Sequence, residues 1–450
     1  MNPGPNLLGA SDARSEPQAS EGGSARPPAL RTPRYASEAR SEPEASEGGS
    51  ARPPARVRRA KVRGMRLLPG AAHFQVTELP AYPPSGAGEH LYVRVEKENA
   101  NSDDVAFALA RATRRPARDV GYAGRKDRSA IARQWFSIRL AAEADLAKLA
   151  APAGGRLAVL EVGRHRNKLR LGHLAGNRFR LGLAGGDAAA LAALRAALDR
   201  LTQCGVENRF GAQRFGDRGA NLAVARAWGS GDAARAAALC IDPAGAWRPD
   251  DPLPDEFRPG LFGRVVGALR RAPAEPERAL RAAGPRLAKL LASAAQSAVF
   301  NAVLDARREA GLLHRARPGD VLRRAGGGLF RASPEDAADA TARAAPGRLE
   351  LFATGPLPGE DVFAPSPEVQ AEELEWSAPA GVDWAWFGAR SPLASPGTRR
   401  ELVAPFLEPP ALELEGGIVW LSFALPPGSY ATEVLTQCGV EGSRIMSSGS

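Results

Sequence analysis

The chain has 450 residues and a formal charge of +10, a length typical of about three domains. Hydrophobic residues make up 44% and charged residues 24%, as in an ordinary soluble globular protein. No run reaches the ~20 apolar residues of a membrane-spanning helix, and the wide spacing of Cys204, Cys240 and Cys438 supports neither a disulfide framework nor a cysteine metal cage. We therefore expect a cytoplasmic protein, and its arginine-rich charge favours a polyanionic partner, nucleic acid first.

Residues 1–64 are predicted to form a disordered tail. The segment RSEPQASEGGSARPPA at residues 14–29 recurs with one change at residues 40–55. Both copies are rich in Ser, Pro, Gly and Glu and hold too few apolar groups to build a core. The tail ends in RVRRAKVR at residues 56–63, which is either a solvated basic run or a contact for RNA backbone.

The next region predicts a sheet with helices on one face. Alternating apolar residues predict strands near residues 74–76, 91–95, 136–140 and 179–183, and Ser102 with two following aspartates predicts a helix start. An Ala/Leu helix is predicted at residues 187–201, with Gly205 closing it. Strands and helices in this order indicate an α+β fold.

A change in composition near residue 230 predicts a middle domain rich in Pro and Ala. It contains a predicted helix at residues 289–310 and turns at residues 326–328 and 356–359. A strand predicted at residues 417–425 returns to the style of the first region, as an insertion into a sheet domain would require. The heptapeptide LTQCGVE occurs twice, at residues 201–207 and 435–441; the first copy fits a helix end, and the second has no account from the sequence.

The most informative stretch for chemistry is GYAGRKDRSA at residues 121–130. Asp127 lies between Lys126 and Arg128, after two glycines that allow a tight turn. Adjacent cations favour the ionised carboxylate, which can then act as a nucleophile or base. The alternative is an exposed charged turn without a catalytic role.

Two further stretches have the character of RNA-binding segments. In NRFGAQRFG, residues 208–216, aromatic rings can stack on bases, amides can read base edges and arginines can hold phosphates. The alternative is a β-turn whose phenylalanines enter the core, which we favour for Phe215. In RHRNKLR, residues 164–170, five cations precede a strand expected after residues 176–177 and form either a solvated basic strand or an RNA-backbone contact. The histidines lack metal-ligand spacing, and no Gly-rich loop ends in Lys-Ser/Thr.

Taken in order, these segments resemble the TruD family of tRNA pseudouridine synthases. The matching runs are GEHLYVRVEK, GYAGRKDRSA, RHRNKLRLGHLAGNRFRL, NRFGAQRFG and LPPGSYATEVL, and they cover residues 74–435 with gaps. The chain departs from the family at residues 71–73, AAH, where an acidic pair is usual, and at Arg209, where tyrosine is frequent.

The resemblance implies a pseudouridine-synthase-type mixed or antiparallel sheet with helices, interrupted by an inserted α/β TRUD domain. The implied division is a catalytic domain in two parts, residues 65–233 and 404–441, around an inserted domain at residues 234–403. A disordered tail at residues 1–64 and a short tail at residues 442–450 complete the chain. RNA would lie in the cleft between the two domains.

The resemblance also implies isomerisation of uridine 13, in the D arm of tRNA, to pseudouridine. It implies no metal or organic cofactor, no membrane and no protein partner. Asp127 matches the catalytic aspartate and Lys126 the adjacent lysine. Phe74, Asn208, Phe210 and Tyr430 match positions that line the target-base pocket, and Gln213 belongs to the same motif.

Two other functions fit the same residues. One is a non-catalytic RNA-binding or RNA-folding protein on the same scaffold, and the other is a hydrolase that uses Asp127 to release free uracil. The intact Lys126-Asp127 pair favours the synthase over the binding protein, because binding alone gives no reason to place an anion in an RNA cleft.

Overall fold

The computed structural model describes residues 62, 64–242, 244–245, 247, 251–252 and 261–441. The predicted tails, with the basic run at residues 56–63, lie outside these residues except at positions 62 and 64. The described strands are, in chain order, β1 Arg66–Leu67, β2 Phe74–Pro80, β3 His90–Glu98, β4 Val120–Tyr122, β5 Ile131–Arg139, β6 Arg156–His165, β7 Leu174–Ala184, β8 Val206–Glu207, β9 Val321–Arg324, β10 Leu329–Arg331, β11 Leu351–Leu357, β12 Thr398–Glu401, β13 Val403–Ala404, β14 Glu408–Glu415 and β15 Ile418–Leu425. The described α-helices are α1 Ser102–Ala112, α2 Ala188–Cys204, α3 Ala220–Gly229, α4 Ala233–Ile241, α5 Leu261–Leu269, α6 Pro276–Ala282, α7 Pro285–Glu309, α8 Ala337–Ala344, α9 Pro367–Ser377 and α10 Ala431–Cys438.

The larger sheet is mixed, as predicted. Its described strands run in the order β14-β15-β7-β2-β5-β3-β6, with β1 beside β7 and β4 beside β5. Only β2 and β5 pair in parallel among the strands of this sheet that the structure describes. The sheet joins residues before position 185 to residues after position 407, so the chain leaves it and returns.

Helices α1, α2 and α10 cover one face of this sheet. Val76 is opposite Ala132, and further along β5 Phe136 is opposite Val93, which places these four apolar residues on one face. The same face packs against Leu109 of α1 and against residues of α2 and α10. The predicted arrangement, with helices on one side, is confirmed.

Local capping explains where the helices begin. Helix α1 begins as predicted at Ser102, because the Asn101 side chain accepts the Asp104 N–H and the Asp104 carboxylate accepts the Asn101 N–H. Helix α2 begins after Asp187 and ends at Gly205, whose φ of 72° a glycine adopts without strain. Helix α7 begins four residues before the predicted start, because Pro285 is tolerated in the first turn, where its missing N–H is not needed.

A second sheet and a helical core fill the middle of the chain. Strands β10-β9-β11-β12 form an antiparallel sheet, and the predicted turn at residues 326–328 joins β9 to β10. The helical core includes Val224 of α3 with Leu239 of α4 and Leu291 of α7, and therefore draws on both sides of position 233. The predicted domain boundaries stay a prediction.

Helix α7 is long and apolar enough to cross a membrane, which the sequence had not suggested. However, 67% of its most apolar stretch is buried inside the protein. It packs as a central helix of the core, and core helices of soluble proteins can be as long and as apolar as membrane-spanning ones.

The repeated LTQCGVE segment ends a helix both times. In each copy the cysteine is the last helical residue, and a glycine with positive φ follows it, 72° at Gly205 and 78° at Gly439. The two copies touch, because the Gln437 side chain accepts the Glu207 N–H at 2.9 Å and donates to the Glu207 carbonyl at 3.0 Å. The second copy also joins the larger sheet at its last residue, since Glu441 pairs with Arg66.

Candidate active site

Buried polar side chains interrupt the helix-covered face of the larger sheet. Glu78 on β2, Lys97 on β3 and Gln134 on β5 occupy positions where the alternation of each strand places a side chain on the helix-covered face. These three side chains and Asn177, which is opposite Glu78, form a polar patch. Buried polar groups require partners, and most of these partners lie on the loop between β4 and β5.

The loop at residues 123–130 is fixed over the polar patch by its backbone and by Lys126. The Lys126 Nζ lies 2.9 Å from a Glu78 carboxylate oxygen and donates to Asn177 Oδ1 at 2.7 Å. The Lys126 N–H donates to Ser102 Oγ at 2.9 Å, and the Gln134 side chain donates to the loop through the Gly124 carbonyl at 3.1 Å. The side chains of Lys126 and Glu78 are only 4% and 1% exposed, so the lysine anchors the loop from below.

Lys97 supports the same loop beneath Asp127. Its Nζ donates to the main-chain carbonyl of Asp127 at 2.5 Å and to that of Ala100 at 2.6 Å. Burial lowers the pKa of Lys97 to about 8, and the nearby Asp127 charge opposes that shift. Lys97 binds the backbone of Asp127 and therefore leaves its carboxylate free to face outward.

The Asp127 carboxylate is half-buried and links two of the predicted motifs. One oxygen accepts the Ser129 N–H at 3.1 Å, and the other accepts Gln213 Nε2 at 2.7 Å. Gln213 belongs to the short 3-10 helix Ala212–Phe215, in the stretch NRFGAQRFG. The carboxylate is thus held by a second chain segment and is not part of a free charged turn.

Phe210, three residues before Gln213 in the chain, is the centre of a cluster of aromatic rings and arginines. The Phe210 ring is edge-on to Phe300 at 5.4 Å and to Tyr430 at 6.1 Å between centroids. The Arg400 guanidinium lies 4.2 Å from the centre of the same ring, and Arg214 Nε donates to the Tyr430 hydroxyl at 3.1 Å. Burial lowers the pKa of Arg400 to about 10. This cluster combines ring faces with cations, the groups that hold an unstacked base.

Asn208 is joined to this cluster through Arg400. The Arg400 guanidinium donates to the Asn208 side-chain oxygen, which also accepts Ser429 Oγ at 3.0 Å. The Asn208 Nδ2 donates to the Glu401 carbonyl at 3.0 Å. Both phenylalanines of this stretch enter a core: Phe210 is buried with Phe300 next to the second sheet, and Phe215 packs against that cluster and against the helical core, which is the alternative favoured for it from the sequence.

Among the described residues, no contact joins Phe74 to these groups. It is buried in the core of the larger sheet, edge-on to Phe179 at 6.3 Å. The structure therefore joins Asp127 to Gln213, and Phe210 to Tyr430 and Asn208, while it turns Lys126 inward. The substrate-binding roles assigned to these residues stay predictions.

The predicted basic segment adjoins the loop that carries Asp127. Residues 166–173 are a loop, and the strand after it begins at Leu174, before the position predicted from residues 176–177. Gly172 N–H donates to the Ala123 carbonyl at 2.8 Å, and Lys168 Nζ donates to the Arg118 carbonyl. Gly121 permits this approach, since a Cβ there would lie 2.1 Å from the Leu169 carbonyl oxygen.

The sequence reasoning missed three contributors, Glu78, Lys97 and Arg400. Glu78 and Lys97 carried a signal, because each puts a charge at an inward position of an alternating strand. Arg400 carried none, since it reaches Asn208 from 192 residues away in the chain. Across the described ranges, no group of three or more His, Cys, Asp or Glu could hold a metal ion.

Comparison with known proteins agrees with the motifs and the fold. The family model for tRNA pseudouridine synthase D (TruD) matches residues 57–250 and 263–438. The chain belongs to the TruD family. Among similar proteins, tRNA pseudouridine synthase D of Geobacter metallireducens is 39% identical over 383 residues, which is 82% of this chain and 93% of the relative. That of Thermus thermophilus is 35% identical, over 81% of this chain and 85% of the relative.

A solved TruD structure shares the architecture. The crystal structure of a Methanosarcina mazei protein assigned as tRNA pseudouridine synthase D (TruD) superposes with a TM-score of 0.62 at 26% identity. The match covers 83% of this chain and 93% of that one. The family and the fold class expected from the sequence are both confirmed.

Proposed function

We propose that the chain isomerises uridine to pseudouridine in tRNA, with Asp127 as the catalytic carboxylate and uridine 13 of the D arm as the target. The observation that carries this proposal is the 2.7 Å hydrogen bond between Asp127 and Gln213, which joins two family motifs above the polar patch. Relatives named tRNA pseudouridine synthase D give further support.

The reaction needs few chemical groups. The bond between N1 of uracil and C1′ of ribose breaks, the base turns, and C5 bonds to C1′. C5 loses a proton and N1 gains one, so the product is an isomer and no other reagent is consumed. Such a reaction requires one carboxylate near the sugar and a surface that retains the loose base.

The aromatic and cationic cluster supplies such a surface in this proposal. The target nucleotide must leave its stack, which costs a few kcal/mol that backbone contacts can offset. Tyr430 is half-buried and offers part of its ring, Phe210 is buried behind it, and Arg400 and Arg214 bring cations to these rings. The basic residues of segment 164–170 are the proposed contacts for the RNA backbone.

The test uses purified full-length protein and an unmodified tRNA transcript. Pseudouridine is mapped by carbodiimide treatment and primer extension, and we expect one modified position in wild type and none in Asp127→Asn. A transcript with cytidine at position 13 tests the position, and product elsewhere would refute it.

The same experiment separates the alternative functions. Salt-dependent tRNA binding by wild type without any product would support the non-catalytic RNA-binding protein, and released uracil would support the hydrolase. Product formed by Asp127→Asn would refute the role of Asp127. A cytoplasmic location stays a prediction, consistent with the three free cysteines.

A further inference from the structure

Helix α1 carries an exposed aromatic side chain beside the candidate active site. Phe107 is 61% exposed, the most exposed of the described phenylalanines, in a helix whose other face is buried in the core. Single exposed apolar residues are common on protein surfaces, so exposure alone assigns no role. The neighbours of Phe107 distinguish it.

The exposed face of α1 leads from the loop that carries Asp127 through Phe107 to Arg111. Residues three or four apart share a helix face, which places Asp103, Phe107 and Arg111 in one line. Arg114 follows the end of the helix, with a positive φ of 51°, and Arg118 lies in the next short 3-10 helix, Ala117–Asp119. Asp103 accepts a hydrogen bond from the Tyr122 hydroxyl and lies 4.0 Å from an Arg125 nitrogen. The line from Asp103 to Arg111 is about 12 Å long at the rise of an α-helix. It therefore starts next to the loop that holds Asp127 and leads away from it.

Arg111 and the two arginines after the helix are exposed, and none of the three has an ion-pair partner among the described residues. Arg111, Arg114 and Arg118 all face solvent. On the sheet, in contrast, Arg133 is paired with Glu96 at 2.8 Å and Arg180 with Glu415 at 2.8 Å. Arg111 in the last turn also suits the helix dipole, but the dipole gives no reason for an exposed phenylalanine one turn earlier.

We propose that Phe107, Arg111, Arg114 and Arg118 form a docking track for the RNA strand next to the target uridine. A base stacks on the Phe107 ring, and the arginines contact the phosphates that follow. An aromatic face followed by unpaired cations fits a single-stranded or splayed nucleic acid, because every base has a stacking face and every nucleotide a negative charge. This inference rests on the proposed function, and it adds a contact outside the catalytic cluster.

The test measures tRNA affinity at several salt concentrations, separately from activity. We expect Phe107→Ala to weaken binding roughly 5- to 100-fold, the range of one lost base–aromatic stack, with an unchanged salt slope. Phe107→Trp should bind like wild type, and Phe107→Leu should bind like Phe107→Ala. Arg111→Gln should weaken binding and lower the salt slope by about one. At saturating tRNA all four variants should keep the wild-type rate.

Two control variants make the result specific. Leu414→Ala removes a side chain that is 75% exposed on β14, an edge strand of the larger sheet, and Arg156→Gln removes an arginine paired with Glu98 at 3.5 Å. Both should bind like wild type. Thermal unfolding checks that every variant is folded.

The proposal is overturned if Phe107→Ala binds within twofold of Leu414→Ala, or if Phe107→Leu restores full affinity. A fall in the saturating rate with unchanged affinity would also overturn it. Affinity is measured independently of product formation. If the wild-type protein binds tRNA through Phe107 but makes no pseudouridine, the proposed function is refuted and the proposed docking track is not.

Discussion

Two regions of the molecule contain buried ion pairs that look alike in isolation. Under the loop that carries Asp127, Lys126 and Glu78 are 4% and 1% exposed, and between the second sheet and α9 Arg399 and Glu373 are each 1% exposed. Structural ion pairs and active sites both contain such groups. Burial of a pair of charges therefore does not identify a functional site.

The difference lies in where each network ends. The Arg399 guanidinium contacts both oxygens of Glu373 and also Thr354, so this network closes on itself inside the fold. The network of Lys126 continues into the loop of Asp127, whose carboxylate is half-exposed and held by a side chain from another motif. A buried network that ends at a partly exposed carboxylate marks the candidate site.

The largest expected effect separates chemistry from folding. Asp127→Asn keeps the shape of the side chain, so we expect its rate of pseudouridine formation to fall on the order of 10⁴-fold with little change in melting temperature. Glu373→Gln should do the reverse, lowering the melting temperature while the folded fraction stays active. Single-turnover kinetics and thermal unfolding measure the two effects. An active Asp127→Asn would remove the distinction between the two regions.

The next largest effect comes from replacing one residue of each buried ion pair. Lys126→Met and Arg399→Met each leave a buried carboxylate unpaired, which should cost about 3–5 kcal/mol of unfolding free energy. Urea titration measures this cost.

The double variants then separate the roles of the two pairs. Glu78→Leu with Lys126→Met should recover much of the stability but not the activity, because the loop loses its anchor. Glu373→Leu with Arg399→Met should recover both. Full activity in the first double variant would show that the Lys126 pair is only structural.

A third effect depends on pH through Lys97. Burial lowers the pKa of Lys97 to about 8 from 10.5, so between these values the unfolded chain binds a proton that the folded chain does not. The contribution of Lys97 to stability is therefore complete above about pH 10.5 and is lost as the pH falls towards 8, a change of about 3 kcal/mol. Relative to Lys97→Met, the unfolding free energy of wild type should rise from pH 8 to 10. A flat difference would contradict the lowered pKa of Lys97 in the folded protein.

The smallest effect concerns Gln213. Gln213→Ala removes one hydrogen bond to a charged group, so we expect the rate to fall about tenfold with unchanged tRNA affinity. Gln213→Glu should be slower than Gln213→Ala, since it places a second carboxylate beside Asp127. If both variants keep the wild-type rate, the contact holds the loop only in the free protein.

The alternating strands could be predicted from the sequence because each shows one apolar face to the core. The ends of elements were predicted where a cap is local, as at Gly205, and were missed where a proline extends the first turn, as at Pro285. The candidate site was predicted as separate motifs, and Asp127 and Gln213 do meet.

What could not be predicted depends on contacts between distant segments. Lys126 reads as a cation facing substrate until the structure shows Glu78 beneath it. Arg400 becomes part of the site only because the chain returns from the second sheet to Asn208. Sequence spacing holds no information on either contact.

Residues 65 and 441 meet at the edge of the larger sheet. The Glu441 N–H donates to the Met65 carbonyl at 2.9 Å, and the Leu67 N–H donates to the Glu441 carbonyl at 3.2 Å. A short linker between these positions would join residues 65–441 into a ring without stretching the chain. New ends could then be opened in a surface turn such as residues 326–328, so this protein is a good candidate for circular permutation.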